Sequence, residues 1–197
     1  MKFVCITLGA VLVSVFAPVH AQQLQSSQGA VAAAIEAQAF LQRDCARKAC
    51  QRNVPITIRD QQGNQYSKTF ELLPPAVQGN AVTLLNGQRI HFEGTLRGGK
   101  LVDLRQVSSV TAPARTITVQ MTQSKDGKTT YVMSNPFAQP IKFQVGVTPL
   151  GSRTMQQTLS CPIRPGKTAT IHWDRPVLIA TARAGVALSP NGPLKCS

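Results

Sequence analysis

Hydrophobic and polar positions change their period along this chain, and each change predicts a different element. Behind Lys2 the first residues are almost uniformly apolar, densest at Val11-Leu12-Val13-Ser14-Val15-Phe16-Ala17, and polar sequence takes over at Gln22. Residues 29–48 are rich in alanine, lack proline, and hold no glycine after Gly29. Val31, Ala34, Ile35, Leu41 and Cys45 fall on one side of a helix there, although Gln38 and Gln42 interrupt the stripe. Arg43, Arg47 and Lys48 close that stretch, where cations complement a helix dipole.

From Val54 the period becomes two, as in half-buried strands. Val54, Ile56 and Ile58 alternate with other residues, and Gln61-Gln62-Gly63-Asn64 reads as a turn into a strand faced by Tyr66, Phe70 and Leu72. Val82-Thr83-Leu84-Leu85 runs into Asn86-Gly87, a two-residue hairpin signal because both residues tolerate positive φ. Ile90, Phe92, Gly94 and Leu96 share the next face, and Gly98-Gly99 turns the chain toward Leu101-Val102-Asp103-Leu104. This stretch predicts a small antiparallel meander.

Residues 107–115, small and polar with Pro113 among them, are the best boundary. Beyond it Ile117, Val119 and Met121 alternate up to Asp126-Gly127, a second hairpin signal, and Thr130–Met133 follows. Ile141, Phe143, Val145 and Val147 then alternate, as do Ala169, Ile171 and Trp173 after a Pro165-Gly166 turn. Val177–Ala180 has no alternation and predicts a strand buried on both faces. The expectation is a mainly β chain: an N-terminal helical segment over 22–50, the meander over 51–112, and an immunoglobulin-like β-sandwich over 113–197. No segment carries a family motif, an internal repeat or a low-complexity tract.

The opening pattern changes how the cysteines are read. A basic start, a short apolar run and Val19-His20-Ala21 before Gln22 have the form of a secretory signal peptide over residues 1–21, of bacterial type. The run is too short to span a membrane. Its removal would take Cys5 away and deliver Cys45, Cys50, Cys161 and Cys196 to an oxidising compartment, the periplasm or the outside. Four cysteines allow three pairings, and proximity favours Cys45–Cys50 with Cys161–Cys196. Positions five apart on a helix point about 140° away from each other, so the first pair requires the helix to end or distort before Cys50. The gap between Cys45 and Cys50 is not that of a redox C-x-x-C motif, and neither has a histidine beside it, which argues against metal or redox roles.

Charge narrows the partners. The formal net charge is +13, and the predicted leader removes only Lys2 from that balance. Such a surplus favours an anionic envelope surface or another envelope protein. The chain has few aromatics to stack bases, so no nucleic acid is expected. Arg89, His91, Arg97, Lys100 and Arg105 decorate neighbouring predicted strands and form the candidate patch for an anionic partner, with charge-guarded strand edges as the plainer explanation. Lys167, His172, Asp174 and Arg175 around Trp173 are a second candidate, an aromatic-and-cation binding patch, although the parity of Trp173 with Ala169 and Ile171 favours a core anchor.

Reactive groups are sparse. His91 and His172 both fall on polar faces, Ser160 has no G-x-S-x-G context, and no glycine-rich phosphate loop opens a helix. No catalytic residue, metal site or cofactor is predicted. The sequence is read as a non-catalytic exported, periplasmic or secreted, binding or structural protein of the bacterial cell envelope, stapled by two disulfides. An envelope-assembly or chaperone-like protein binding clients by strand addition is the second reading. A hydrolase using His91 or His172 is the third.

Overall fold

The computed structural model describes Ala39, residues 41–43, Cys45, Ala46, 50–190 and 192–196, with the side chain of residue 184 not described. The leader over 1–21 and most of the helix expected over 29–48 lie outside the described residues. Helical backbone is present at Ala39, 41–43 and Cys45. The chain divides into a unit Met1–Arg43 and a unit Asp44–Ser197. The second unit is antiparallel β.

Both expected disulfides are formed. Cys45 and Cys50 are joined with their Cα atoms 5.3 Å apart, and Cys161 and Cys196 with theirs 4.1 Å apart. The helical backbone has ended by Cys50, where extended chain leads into the first strand at Gln51, as the spacing requires.

That strand, β1 (Gln51–Arg59), pairs with β2 (Gln65–Leu73) in a two-stranded hairpin. The Asp60 carboxylate organises its turn by accepting hydrogen bonds from the Gln62 and Asn64 amides and the Asn64 side chain. Gln123 holds one end of β1, accepting from the Arg59 amide and donating to the Arg59 carbonyl, each at 2.8 Å. The Gln88 side chain donates to Gln51 at the other end.

The remaining ten strands form one sheet: β3 (Val77–Gln78), β4 (Ala81–Leu85), β5 (Arg89–Arg97), β6 (Lys100–Val107), β7 (Thr116–Gln123), β8 (Thr129–Ser134), β9 (Ile141–Pro149), β10 (Gln156–Gln157), β11 (Thr168–Trp173) and β12 (Val177–Ala187). Its main path runs β10-β9-β12-β6-β5-β7-β8-β11, with β4 also on β12 and β3 on β4. β5 pairs with β7 across the 107–115 segment, and β12 pairs back onto β4 and β6, so strands from both sides of that segment share one sheet.

Two glycine turns behave as their residue types predict. Gly98 and Gly99 join β5 to β6, and Gly127 joins β7 to β8, all with positive φ. Asn86-Gly87 corrects the sequence expectation. Gly87 has φ +87, yet β4 and β5 do not pair. The buried Asn86 donates from its side chain to the Val177 carbonyl and from its amide to Leu178, while the Gly87 amide donates to Met121. The corner therefore sends β4 onto β12 and β5 into a place between β6 and β7, and residues 51–112 are not a consecutive meander.

From β4 onward most of the alternating residues converge on one core, whereas Ile56 and Ile58 of β1 are buried outside that cluster and Tyr66 of β2 is exposed. Val82, Leu84, Phe92, Ile117, Val119 and Met121 are buried together with Tyr131, Met133, Phe143, Val147 and Ala180. β8 and β9 are far apart along the sheet path yet contribute to the same cluster, so the sheet curls its two ends toward each other. In β12 the unbroken apolar run is less enclosed than expected: Val177 and Ala180 are fully buried, but Leu178 and Ile179 are half-buried.

Candidate functional site

The two ends of the sheet path, β10 and β11, are where the core is left incompletely covered. β11 grows from the Pro165-Gly166 turn, where Gly166 adopts φ +64 and the Lys167 amide donates to Arg164. Among the described residues it pairs only with β8, placing Ala169 opposite Met133, Ile171 opposite Tyr131 and Trp173 opposite Thr129. Those three β11 residues face inward but stay half-buried, while Thr168, Thr170 and His172 are exposed. The Trp173 and Tyr131 rings meet edge to face with centroids 6.2 Å apart.

Facing them is the segment after β10. The Thr158 amide donates to Val145, and Ile163 makes a two-way bridge with Ile141, so residues 158–163 run along β9. Cys161 ties this wall to the C-terminal segment. Between the two walls lies a cleft of about 440 Å³. Tyr131, Met133, Phe143, Val145 and Ile163 belong to the core side of its lining, and Leu159, which is 67% exposed, stands at its rim. A cleft of that size with apolar walls is in the range of ligand pockets. Other cavities have more polar linings, such as the 520 Å³ space among Asp60, Gln61, Gln62, Tyr66 and Arg175 and the 740 Å³ space among Lys142, Gln144, Gln157 and Ser160.

The free side of β11 follows from the ladder. The Asn135 amide donates to the Lys167 carbonyl, which fixes that pair as hydrogen-bonded. Alternation then carries the ladder bonds through 169, 171 and 173 and turns the main-chain groups of Thr168, Thr170 and His172 away from β8. Among the described residues no protein group pairs with those outward groups. Cations bracket the strand: Arg164 and Lys167 are exposed before it, and Arg175 follows it, donating to Gln156.

The polar side chains among the cleft's lining residues are those of Tyr131, Thr158, Ser160, Thr170 and His172. Tyr131 is 1% exposed, and its hydroxyl has no hydrogen-bond partner among the described residues. Burial raises its pKa well above the usual phenol value. The His172 ring bonds the Thr130 hydroxyl through Nδ1 at 3.1 Å on the outer face.

Of the residues singled out in the sequence, the anionic-partner patch is spread along β5 and β6 and partly spent. Arg89 donates to Gln120, and His91 bonds Thr118. Arg97 pairs with Asp103 at 3.1 Å, and Arg105 with Glu93 at 2.7 Å. Glu93 is buried and also bonded by Arg115 at 3.3 Å, so it uses two guanidinium groups to fasten the end of the 107–115 segment to β5. Lys100 lies opposite Arg97 at the far turn from Arg89. Neither histidine is bonded to a carboxylate among the described residues, and no group of three His, Cys, Asp or Glu there could hold a metal ion.

No family model, curated protein or solved structure matches this chain. The site rests on its geometry alone. Sequence reasoning offers Trp173 as a core anchor first and as part of an aromatic-and-cation patch second; the structure has it half-buried in the wall of a cleft, and the cleft itself is what the sequence does not announce. The available signal was Leu159, an apolar residue among polar neighbours two residues before Cys161.

Proposed function

We propose that this chain is a non-catalytic, exported binding protein of the bacterial cell envelope, acting in the periplasm or outside, and that it binds through the cleft between β11 and residues 158–163. The observation that carries this reading is a partly covered apolar row, Ala169, Ile171 and Trp173, opening into a 440 Å³ cleft beside a strand edge that nothing else in the described chain pairs. A half-exposed apolar wall costs solvation free energy unless something covers it, at about 25 cal/mol per Å². An immunoglobulin-like sandwich for 113–197 belongs to the same proposal. Its support is the shared core between β9–β12 and β7–β8, which do not neighbour each other in the sheet path.

The chain contains one tryptophan, and Trp173 lines the cleft, so occupancy has a built-in reporter. The test is titration of the mature protein with an apolar anionic fluorophore, 1-anilinonaphthalene-8-sulfonate, followed by Trp173 emission. Saturable quenching in the wild type that weakens at least tenfold in Ile171→Arg supports the reading. A response that never saturates, or that Ile171→Arg leaves unchanged, removes the cleft as the binding site.

Adhesion of the β5–β6 cations to an anionic envelope surface is the weaker form of the binding reading, because Arg97 and Arg105 already have carboxylate partners. It predicts salt-sensitive retention on anionic vesicles that falls when Arg89 and Lys100 are both replaced by glutamine. A hydrolytic role for His91 or His172 has the least support, since threonine hydroxyls are their hydrogen-bonding partners.

A further inference from the structure

From the unpaired edge of β11 we infer that the occupant of the cleft is an extended strand of a partner protein, alternating apolar and polar residues and flanked by carboxylates, which adds to the sheet beside Thr168–Trp173. The inference rests on the cleft being a binding site and names what it takes.

Three observations converge on that occupant. First, the outward main-chain groups of Thr168, Thr170 and His172 offer the donors and acceptors of an added strand, and these residues are exposed. Main-chain pairing at such an edge supplies affinity, while pockets for alternate side chains supply specificity. Second, Ala169, Ile171 and Trp173 lie on the face of β11 that lines the cleft. An added strand in register would place its own alternate side chains over that same cleft, about 5 Å from β11 in the hydrogen-bonding direction. Third, Arg164 and Lys167 before the strand and Arg175 after it outweigh Asp174. Carboxylates at both ends of the incoming segment complement them, and the attraction weakens with salt.

The same charge argues against a second copy of this chain as occupant. Edge-to-edge pairing of two β11 strands would bring Arg164, Lys167 and Arg175 of each copy together, in a chain that already carries +13. Like charges at that distance oppose association.

The test uses the mature protein and a synthetic peptide of about eight residues, alternating valine with threonine and carrying glutamate at both ends, the length of a typical strand. Binding is read by Trp173 emission and by calorimetry. Thr170→Pro removes one outward N–H without touching a bond to β8, as proline on the open side of an edge strand does. Thr170→Val keeps the N–H. The expected result is saturable binding to the wild type and to Thr170→Val, and at least a tenfold loss in Thr170→Pro. Thr170→Pro must melt within a few degrees of the wild type; if it does not, N-methylation of the peptide on alternate amides replaces it as the probe of the same hydrogen bonds. Equal affinity for Thr170→Pro or for the N-methylated peptide overturns strand addition. Binding of the fluorophore without the peptide also overturns it and leaves the cleft itself intact as a site. Failure of both removes both readings. Equal binding of a lysine-flanked peptide refutes the acidic partner, and a sedimenting dimer that Thr170→Pro dissolves replaces the partner strand with a second copy.

Discussion

Replacing Cys161 and Cys196 by serine isolates what the C-terminal staple contributes. Both cysteines are exposed, so serine is solvated in their place and little packing is lost. The cost is then the constraint on the unfolded chain. Closing a loop of sequence separation 35 is worth about 4 kcal/mol in the chain-entropy picture. Part of that is returned in the folded state, because among the described residues the main-chain bonds of the tail beyond Leu188 are local, from Gly192 to Ser189 and from Lys195 to Pro193, with the Lys142 ammonium also on the Lys195 carbonyl. The expected destabilisation is about 2–4 kcal/mol, or a fall in Tm of roughly 5–15 °C for a domain of this size. The Cys45–Cys50 pair closes a loop of separation 5, for which the same picture predicts only about 2 kcal/mol. Thermal unfolding of the two double variants, followed by circular dichroism, compares them directly. Because Cys161 lies in the cleft wall, its variant also loses fluorophore affinity several-fold well below Tm, whereas Cys45→Ser/Cys50→Ser does not. A Tm shift below about 2 °C, or a larger one for the Cys45–Cys50 pair, would refute the reasoning.

Three further outcomes follow from other parts of the molecule. A Cβ at Gly185 would collide with the fully buried Ile141 side chain and lie 3.2 Å from the Phe143 ring, so Gly185→Ala lowers stability by about 1–3 kcal/mol through overpacking, and an unshifted urea midpoint contradicts this. Tyr131→Phe removes an unpartnered buried hydroxyl and raises stability by roughly 1 kcal/mol in denaturant titration. In the wild type burial raises the Tyr131 pKa, so its contribution is complete below the ordinary value of about 10 and is lost as pH climbs toward the folded-state pKa; absorbance at 295 nm should show Tyr66 ionising before Tyr131. At the β7–β8 turn, the Ser124 hydroxyl first and Lys128 second hold the Asp126 carboxyl down to about 2. Its depressed pKa makes the turn contribution present above the ordinary carboxylate range and lost only as pH falls toward 2; Ser124→Ala should move the Asp126 midpoint upward in a carboxyl NMR titration.

The turns show how far local chemistry reaches. Gly98-Gly99 and Asp126-Gly127 connect strands that pair, because the flanking alternation keeps both neighbours on one face. Asn86-Gly87 has the same residue types, but the competition for Asn86 is won by Val177 and Leu178, about ninety residues away. Local patterns specify that the chain bends there; they hold no information about which strand lies across the bend. β6 is similar. Asp103 adopts φ +55 within the β5–β6 bulge, so Leu101 and Leu104 both reach the space beside Gly94. A period-two reading puts those two leucines on opposite faces, and only the inserted bulge residue reconciles them. The disulfide pairing was legible because loop length favours near neighbours, whereas strand partnership in this sheet does not follow sequence distance.

The cleft was hidden for a related reason: Ile171 and Trp173 alternate as core residues do, and alternation reports which face is inward, not whether anything closes over it. Comparing two open edges shows what must be added. β2 also has a free side, but its residues from Gln65 to Thr69 are all exposed, with Lys68 among them, so an added strand there would gain hydrogen bonds and little burial. β11 has the opposite balance. Its six residues include no lysine, proline or bulge, the devices that normally protect an edge, and its inward row opens on an apolar cleft. Protection comes instead from outside the strand, from Arg164, Lys167 and Arg175, and charge placed there discriminates rather than simply repels. It would oppose another basic chain while admitting an acidic one, so the same three cations that would disfavour pairing of two copies would select the proposed partner.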